Sequence, residues 1–376
     1  MQENLLFEVQ TCPTTCKAKT MTDDVHSTGP TALTTSSSGQ VKVRFWGVRG
    51  SIAAPLTAAD VRKKKIQAVK EYQNFLKTFK QHPLPDPEKF FDVPGATPDT
   101  YGGNTSCVEV RHNEKIIILD MGTGLRPFGN SVYAEMIKQG GLDTIFLVSH
   151  VHWDHIQGFP FYGEIYVNKN LNPKIFNKWK FVGGTGWQKT AEECLRKQME
   201  APNFPFSFDE IEKITGKLAF DDMVDGKELQ IDDTTCRVRR LDHPQETYGS
   251  RLEFPGGRVV VYTTDNEPRD PLFPAEPLLW LAKGANIWIT DCQYTKNQYE
   301  GKDPGGVRHG WGHSYPEAVA KTAVIAGVET VVLFHHDPAS SDEKIAQMVV
   351  HTQNLINKMG GTSKVIGAWE GLELTV

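Results

Sequence analysis

Within six residues, His150-Val151-His152-Trp153-Asp154-His155 supply three imidazoles and one carboxylate. Imidazole nitrogens with a carboxylate oxygen form a donor set suited to Zn, Mn or Fe. A lone histidine reads as an ordinary polar turn, but this density does not. The apolar run TIFLV ahead of the cluster reads as a strand covered on both faces. In a strand leaving the core, His150 and His152 share a side, and the turn beyond can bring Asp154 and His155 inward.

One cluster cannot complete two metal shells, so further donors have to come from elsewhere. Four apolar runs close on them: His243 after CRVRRLD, Asp265 after VVVYTT, Asp291 after ANIWIT, and the pair His335-His336 after ETVVLF. Any one of these is an unremarked strand-ending turn residue. Together they suggest a sheet rim lined with chemistry. His313 stands just before Ser314-Tyr315-Pro316-Glu317, which reads as a capping box with Ser314 as N-cap.

The elements that must position these groups alternate in blocks. VKVRFWGV opens the ordered chain at Val41, and a Lys-rich amphipathic helix follows over AADVRKKKIQAVKEYQNFLKTF, its KKK read as a solvated face. Strands SCVEVRH and KIIILDMG, a helix around SVYAEMIKQ and the strand TIFLVSH complete a first half. Strands ELQIDD, CRVRRLDH, SRLEFP, RVVVYTTD and ANIWITD, then the helix EAVAKTAVIAG, the strand ETVVLFHH and the helix DEKIAQMVVHTQNLINKM, form a second. Two blocks of strands then helix predict a four-layer αββα sandwich of two mixed sheets with outer helices, and argue against a doubly wound parallel fold.

Residues 1–40, rich in Thr and Ser, read as a disordered extension, leaving 41–376 as one domain. Residues 161–225 read as an inserted lid with a helix near Thr190 to Lys197. Its Trp179, Trp187, Phe204, Phe206 and Phe208 suit either a pocket wall that stacks on a base or the packing of the lid itself.

The net charge of −5 and pI near 6.2 exclude a general electrostatic pull on nucleic acid. Cys12 and Cys16 lack a second pair to complete a zinc finger, and the other four cysteines read as small buried residues in a reducing compartment. No window approaches the ~20 apolar residues of a membrane span, and MQENLLFEVQ has no secretory pattern. A cytoplasmic location is the expectation.

HVHWDH resembles the H-x-H-x-D-H signature of the metallo-β-lactamase superfamily, a fold with a two-metal site. RFWGVRGSIAAP, TYGGNTSCVEV and ILDMGTG resemble the opening strands of its ribonuclease Z and phosphodiesterase branch. LDHPQETYGSRLEF, VVVYTTD, DCQY, GHSYPEAV and VVLFHHD resemble that branch's later motifs. The resemblance implies two divalent metal ions, Zn first, with Mn or Fe as alternatives. It implies that His150, His152 and His243 bind one metal, that Asp154, His155 and His335 bind the other, and that Asp265 bridges, with His336 the alternative to His335. Asp154 thereby belongs to the catalytic centre. His313 is implied to approach a scissile phosphate, with Asp291 orienting it. A homodimer is the habit of that branch.

Such a metal pair, ~3.5–4 Å apart, lowers the pKa of water towards ~7 and neutralises phosphoryl charge. Ribonuclease Z carries a tRNA-gripping arm between its third histidine and bridging aspartate. Here Asp265 stands only 22 positions after His243, enough for a hairpin. The expected substrate is therefore a small phosphodiester, such as a cyclic nucleotide, with no membrane partner expected and nucleic acid disfavoured. An RNA-processing nuclease of ribonuclease Z type is the alternative. A lactone or thioester hydrolase on the same fold would have no use for His313, and a non-catalytic module would not keep the whole donor set.

Overall fold

The computed structural model describes residues 39–78, 99–167, 171–184, 189–270 and 273–376. By its contacts the chain divides into Met1–Pro30 and Thr31–Val376, and only the second unit falls within the described residues. The extension expected over residues 1–40 lies, except for its last two residues, outside them, as does Trp187.

Two seven-stranded sheets carry the fold. The first is built from β1 (Val41–Gly47), β2 (Cys107–His112), β3 (Lys115–Leu119), β4 (Asp143–Val148), β5 (Lys178–Gly184), β6 (Ala219–Met223) and β14 (Glu373–Thr375). The second comprises β7 (Glu228–Ile231), β8 (Thr234–Leu241), β9 (Thr247–Phe254), β10 (Arg258–Thr263), β11 (Ile287–Asp291), β12 (Thr330–Phe334) and β13 (Lys364–Gly367). Their strand orders are β14-β1-β2-β3-β4-β5-β6 and β13-β12-β11-β10-β9-β8-β7. Each sheet is antiparallel in one half and parallel in the other. The helices are α1 (Ala58–Thr78), α2 (Leu125–Gln139), α3 (Trp153–Ile156), α4 (Ala191–Gln198), α5 (Phe208–Thr215), α6 (Glu276–Ala282), α7 (Lys296–Tyr299), α8 (Pro316–Ala326) and α9 (Asp342–Lys358).

Alternation along the strands sorts the core into three layers. Val43, Phe45, Ile117 and Leu147 of the first sheet meet Val260, Tyr262, Ile289, Val332 and Phe334 of the second. Their neighbours Ile116, Ile118 and Phe146 point the other way, onto Phe128 of α2, Leu195 of α4 and Phe208 of α5. Val261, Trp288 and Val331 face outward onto Leu281 of α6, Val319 of α8 and Met348 of α9. Both faces are therefore covered, which is why these strands read as continuous apolar runs. Each such side chain contributes about 1.5–3 kcal/mol on burial. This is the αββα sandwich of two mixed sheets expected from the sequence.

The stretch 161–225 is not a simple lid. Its WKFVGG forms most of β5 and its AFDDM forms β6, both added parallel to β4. Trp179 and Phe208 belong to the outer core, and Phe206 packs against it. The helix expected near Thr190 is α4, entered through a reciprocal Thr190–Glu193 capping box. A second box, Ser207–Glu210, opens α5, a signal already present in the letters SFDE. The Lys-rich helix is α1, whose Lys63 and Lys64 meet Glu343 and Asp342 at the start of α9.

The two sheets are tied where β1 ends. Val48 donates to Asn104 O at 2.8 Å, while Val48 O accepts from His336 N at 2.9 Å and Gly50 N donates to His336 O at 3.0 Å. The buried Arg49 side chain donates to the carbonyls of Gly102, Asp337 and Ser340. A parallel tie holds α3 to the loop after β3: Met121 N donates to His155 O, and Gly158 N donates to Met121 O. Gly158 has a φ of −78°, open to any residue, but a β-carbon there would overlap the carbonyl oxygen of Gly122. Gly158→Ala should therefore cost about 1–3 kcal/mol by overpacking. Thermal denaturation should show a Tm lowered by several degrees, and an unchanged Tm would mean that the loop yields freely.

Candidate metal centre

The strands that carry the site all run in one direction within their sheets and deliver their residues at their C-terminal ends. β1 and β3 both lie antiparallel to β2, and β4 lies parallel to β3. In the second sheet β8 and β10 both lie antiparallel to β9, while β11 and β12 continue parallel to β10. Ser51, Asp120, the 150–155 cluster, His243, Asp265, Asp291 and His335 therefore gather on one rim, as expected for α/β sheets.

Two sets of donors converge there. His150 Nε2 lies 3.0 Å from His152 Nδ1, which lies 3.3 Å from His243 Nε2. Asp265 Oδ2 stands 3.5 Å from His150 and 3.8 Å from His243. In the second set, Asp154 Oδ2 is 3.2 Å from His155 Nε2 and 3.0 Å from His335 Nε2. The two imidazoles are 3.2 Å apart, and Asp265 Oδ1 is 3.3 and 3.1 Å from them. Each carboxylate oxygen of Asp265 thus serves a different set. All seven ligands nominated from the sequence come together.

These distances test whether a cation fits. Four donors placed tetrahedrally ~2.0–2.1 Å from a zinc ion are ~3.3–3.4 Å from one another. Both quartets are close to that spacing. The facing nitrogens of His150 and His152, 3.0 Å apart, and of His155 and His335, 3.2 Å apart, oppose lone pairs when both members of a pair are unprotonated, unless a cation lies between them. Burial works against it, but the carboxylates around His155 push its pKa well up, so the metal-free site favours a proton where a cation would sit. Burial, aided by neighbouring imidazoles, lowers the pKa of His150, and burial leads the lowering at His152 and His243, which keeps these rings neutral and able to ligate. Burial alone would raise Asp154 and Asp265, but the surrounding histidines hold both well below the usual carboxylate range.

An outer layer fixes each ring. His155 Nδ1 bonds Asp120 Oδ2 at 2.8 Å, His335 Nδ1 bonds Gln293 Oε1 at 2.8 Å, and His243 Nδ1 bonds Gly312 O at 3.1 Å. Ser51 N donates to Asp154 Oδ2 at 2.7 Å. The sequence reading missed Asp120, Gln293 and Ser51. The letters ILDMG and DCQ did mark two of them, since each follows an apolar strand in the way the nominated ligands do.

His335 and His336 separate clearly. His335 has φ 59°, in the left-handed region, and turns its ring into the site. The His336 ring lies against Ala368 O at 2.9 Å, buried away from the donors. Alternation in a regular strand could not decide between them, because the backbone leaves the strand at this residue.

His313 stacks its ring 5.1 Å from that of His335 and lies 5.6 Å from that of His243. Its Nδ1 is 2.6 Å from Asp291 Oδ2. Burial disfavours the imidazolium, but Asp291 outweighs it and pushes the pKa up to about 9. The cap expected at Ser314 is displaced by one residue. Tyr315 is the N-cap, with no side-chain bond, because Pro316 starts the helix while Ser314 N is committed to Asp291 Oδ1 at 3.2 Å. Glu267, also missed, accepts from Gly310 N and Gly312 N, both at 2.7 Å, and from Tyr299 OH at 2.8 Å, anchoring the loop that ends at His313.

Metal analysis of purified variants checks the assignment. The wild-type chain should hold about two ions. Asp265→Ala should lose most of both, His335→Ala about half, and His336→Ala none. Loss in His336→Ala equal to that in His335→Ala would refute the division between them.

Residues 117–336 match the sequence family described as "Beta-lactamase superfamily domain". An uncharacterised protein of Mycobacterium leprae (strain TN) is 24% identical over 219 residues, 58% of this chain and 68% of its own length. A ribonuclease Z of Staphylococcus carnosus (strain TM300) is 23% identical over 223 residues, 58% of this chain and 65% of the ribonuclease. Among solved structures, the metallo-β-lactamase fold protein YhfI from Bacillus subtilis aligns with a TM-score of 0.55 at 14% identity, over 90% of this chain and all of its own. The short form of human tRNase Z aligns at 0.51 and 13% identity, over 89% and 98% of the two chains. These structural likenesses establish the fold. With more than half of its length matched to the family, the chain belongs to the β-lactamase superfamily, a family of divalent-metal-dependent hydrolases.

Proposed function

We propose that the protein hydrolyses a small phosphodiester, of the cyclic-nucleotide type, at a two-metal centre with zinc as the resident ion. The observation that carries this reading is the His313–Asp291 pair beside the donor sets. A lactone or thioester hydrolase needs the metal ligands but has no use for a second buried proton donor. The 21 residues between His243 and Asp265 are occupied mainly by β9, its turn and β10, which supports a small substrate over a gripped tRNA.

His150, His152, His243 and Asp265 would hold one ion, and Asp154, His155, His335 and Asp265 the other. When bound, such a pair supplies Lewis acidity toward phosphoryl oxygens and lowers the pKa of water. Asp120, Gln293 and Gly312 fix the tautomers of His155, His335 and His243, so that the ligating nitrogens keep their lone pairs. Asp291 holds His313 by Nδ1, which leaves Nε2 for the substrate. As the P–O ester bond breaks, the departing oxygen takes the Nε2 proton and leaves as an alcohol, while water supplies the oxygen of the phosphomonoester.

This role depends on the leaving group. A ribose oxygen requires a proton to depart, whereas p-nitrophenolate does not. His313→Ala should lower kcat on 3′,5′-cyclic AMP by ~10²–10⁴. On bis-p-nitrophenyl phosphate the loss should stay within about tenfold, since little proton donation is needed there. Equal losses on both substrates would remove the acid role, and turnover of a lactone alone would sink the phosphodiester reading.

A further inference from the structure

A cleft of ≈ 710 Å³ opens beside the metal centre, within the size range of small-molecule sites. It adjoins the centre through the chain itself: Trp153 follows ligand His152, and Gln245 comes two residues after His243. Trp153 is 79% exposed and Phe161 58% exposed, while Phe204 meets Phe161 edge-on at 5.7 Å. Large aromatics left open to solvent around one concavity mark a surface for a flat apolar group. Lys189 and Lys197, at the start and end of the α4 region, also line the cleft. Neither has a carboxylate partner among the described residues, although Arg196 between them has three. Gln245 adds an independent sign. It is only 8% exposed, and its Oε1 has no hydrogen-bond partner, a deficit that buried amides rarely keep.

Taken together, the lining offers aromatic faces, two unpaired ammonium groups and one unsatisfied amide. We infer that this cleft binds the arm of a nucleotide substrate that extends beyond the scissile phosphate: a base against Trp153, Phe161 and Phe204, and a second phosphate at Lys189 and Lys197. A cyclic mononucleotide has a single phosphate, which it must present to the metal centre, so the two lysines would go unused. A 5′-phosphorylated dinucleotide has a phosphate for each place. The inference rests on the phosphodiesterase reading and narrows it to substrates with a second phosphate.

Isothermal titration of the metal-loaded full chain tests this without turnover. The probes are hydrolysis-resistant phosphorothioate analogues of 5′-phosphorylated adenosine dinucleotide and of cyclic AMP. The dinucleotide analogue should bind at least tenfold more tightly. The double variant Lys189→Glu/Lys197→Glu should abolish that advantage while changing cyclic AMP affinity less than threefold, and Trp153→Ala should weaken the dinucleotide. Metal content and Tm, measured on the same samples, exclude a folding defect. Equal affinity of the wild type for the two analogues, absence of binding, or an unchanged advantage in the lysine variant would overturn the inference. So would a ten-residue oligoribonucleotide binding tenfold more tightly than the dinucleotide, which would make the cleft a nucleic-acid channel. If the titrations behave as expected but no phosphodiester is hydrolysed, the reaction falls and the cleft stands. If turnover is found without the dinucleotide advantage, the cleft alone falls.

Discussion

Asp120 is fully buried, and its carboxylate accepts from Ser149 N at 2.7 Å, Ser149 Oγ at 2.8 Å and Tyr262 OH at 2.8 Å while bonding His155 Nδ1. Ser149 leads from β4 into the histidine cluster, and Tyr262 lies on β10 of the opposite sheet. One carboxylate therefore fixes a ligand ring, the start of the ligand loop and the spacing of the two sheets. A buried charge is tolerated only when its acceptor positions are filled, and here they are filled by groups that must themselves be placed for the site. Within the donor sets, ring nitrogens stand only 3.0 and 3.2 Å apart, a spacing that unprotonated imidazoles oppose. Without a frame of this kind they would separate.

The frame is set by backbone as well as by side chains. Ser51, Asp120, Asp265 and His335 each have φ between 52° and 63°, and each stands where a strand runs into the rim. Non-glycine residues in this region cost of order 1–3 kcal/mol each. The described chain has two others, Asn113 and Asp232, both in tight turns between adjacent strands. At the rim the left-handed step reverses the direction of the side chain within one residue. It turns His335 into the site while His336 stays in the sheet junction.

This explains what could be read from the letters and what could not. The αββα layering was legible because covered strands show as apolar runs, and the ligands were legible because each follows such a run. Asp120 and Gln293 also do, but their role lies one bond further out, and nothing in their spacing distinguishes a metal donor from the residue that orients one. β5 and β6 were hidden for a different reason. WKFVGG is short with charged alternates, and AFDDM at the sheet edge has two acids, so neither has the apolar density of its neighbours. The pairing of β5 with β4, and of β6 with β5, supplies what their composition does not. The misplaced cap at Ser314 is a local rule overruled by a tertiary bond, since Asp291 takes the amide that a capping residue would leave to water or to the helix.

Glu267 shows how His313 and the donor sets are coupled. It lies two residues beyond Asp265, and its two oxygens take the amides of Gly310 and Gly312. The peptide on the other side of Gly312 offers its carbonyl to His243 Nδ1. His243, the turn that carries Asp265 and the residue before His313 are thus joined through one glycine. Gly312 has φ 89°, and a β-carbon there would overlap the His243 ring, so both conformation and contact require glycine. The same clamp separates the two ends of the loop. Val307 and Trp311 stay exposed, and Arg308 lies over the Trp311 ring at 4.6 Å, while His313 is held from behind. The exposed part of the loop can therefore change in sequence without moving His313, provided that Glu267 and the two glycines remain.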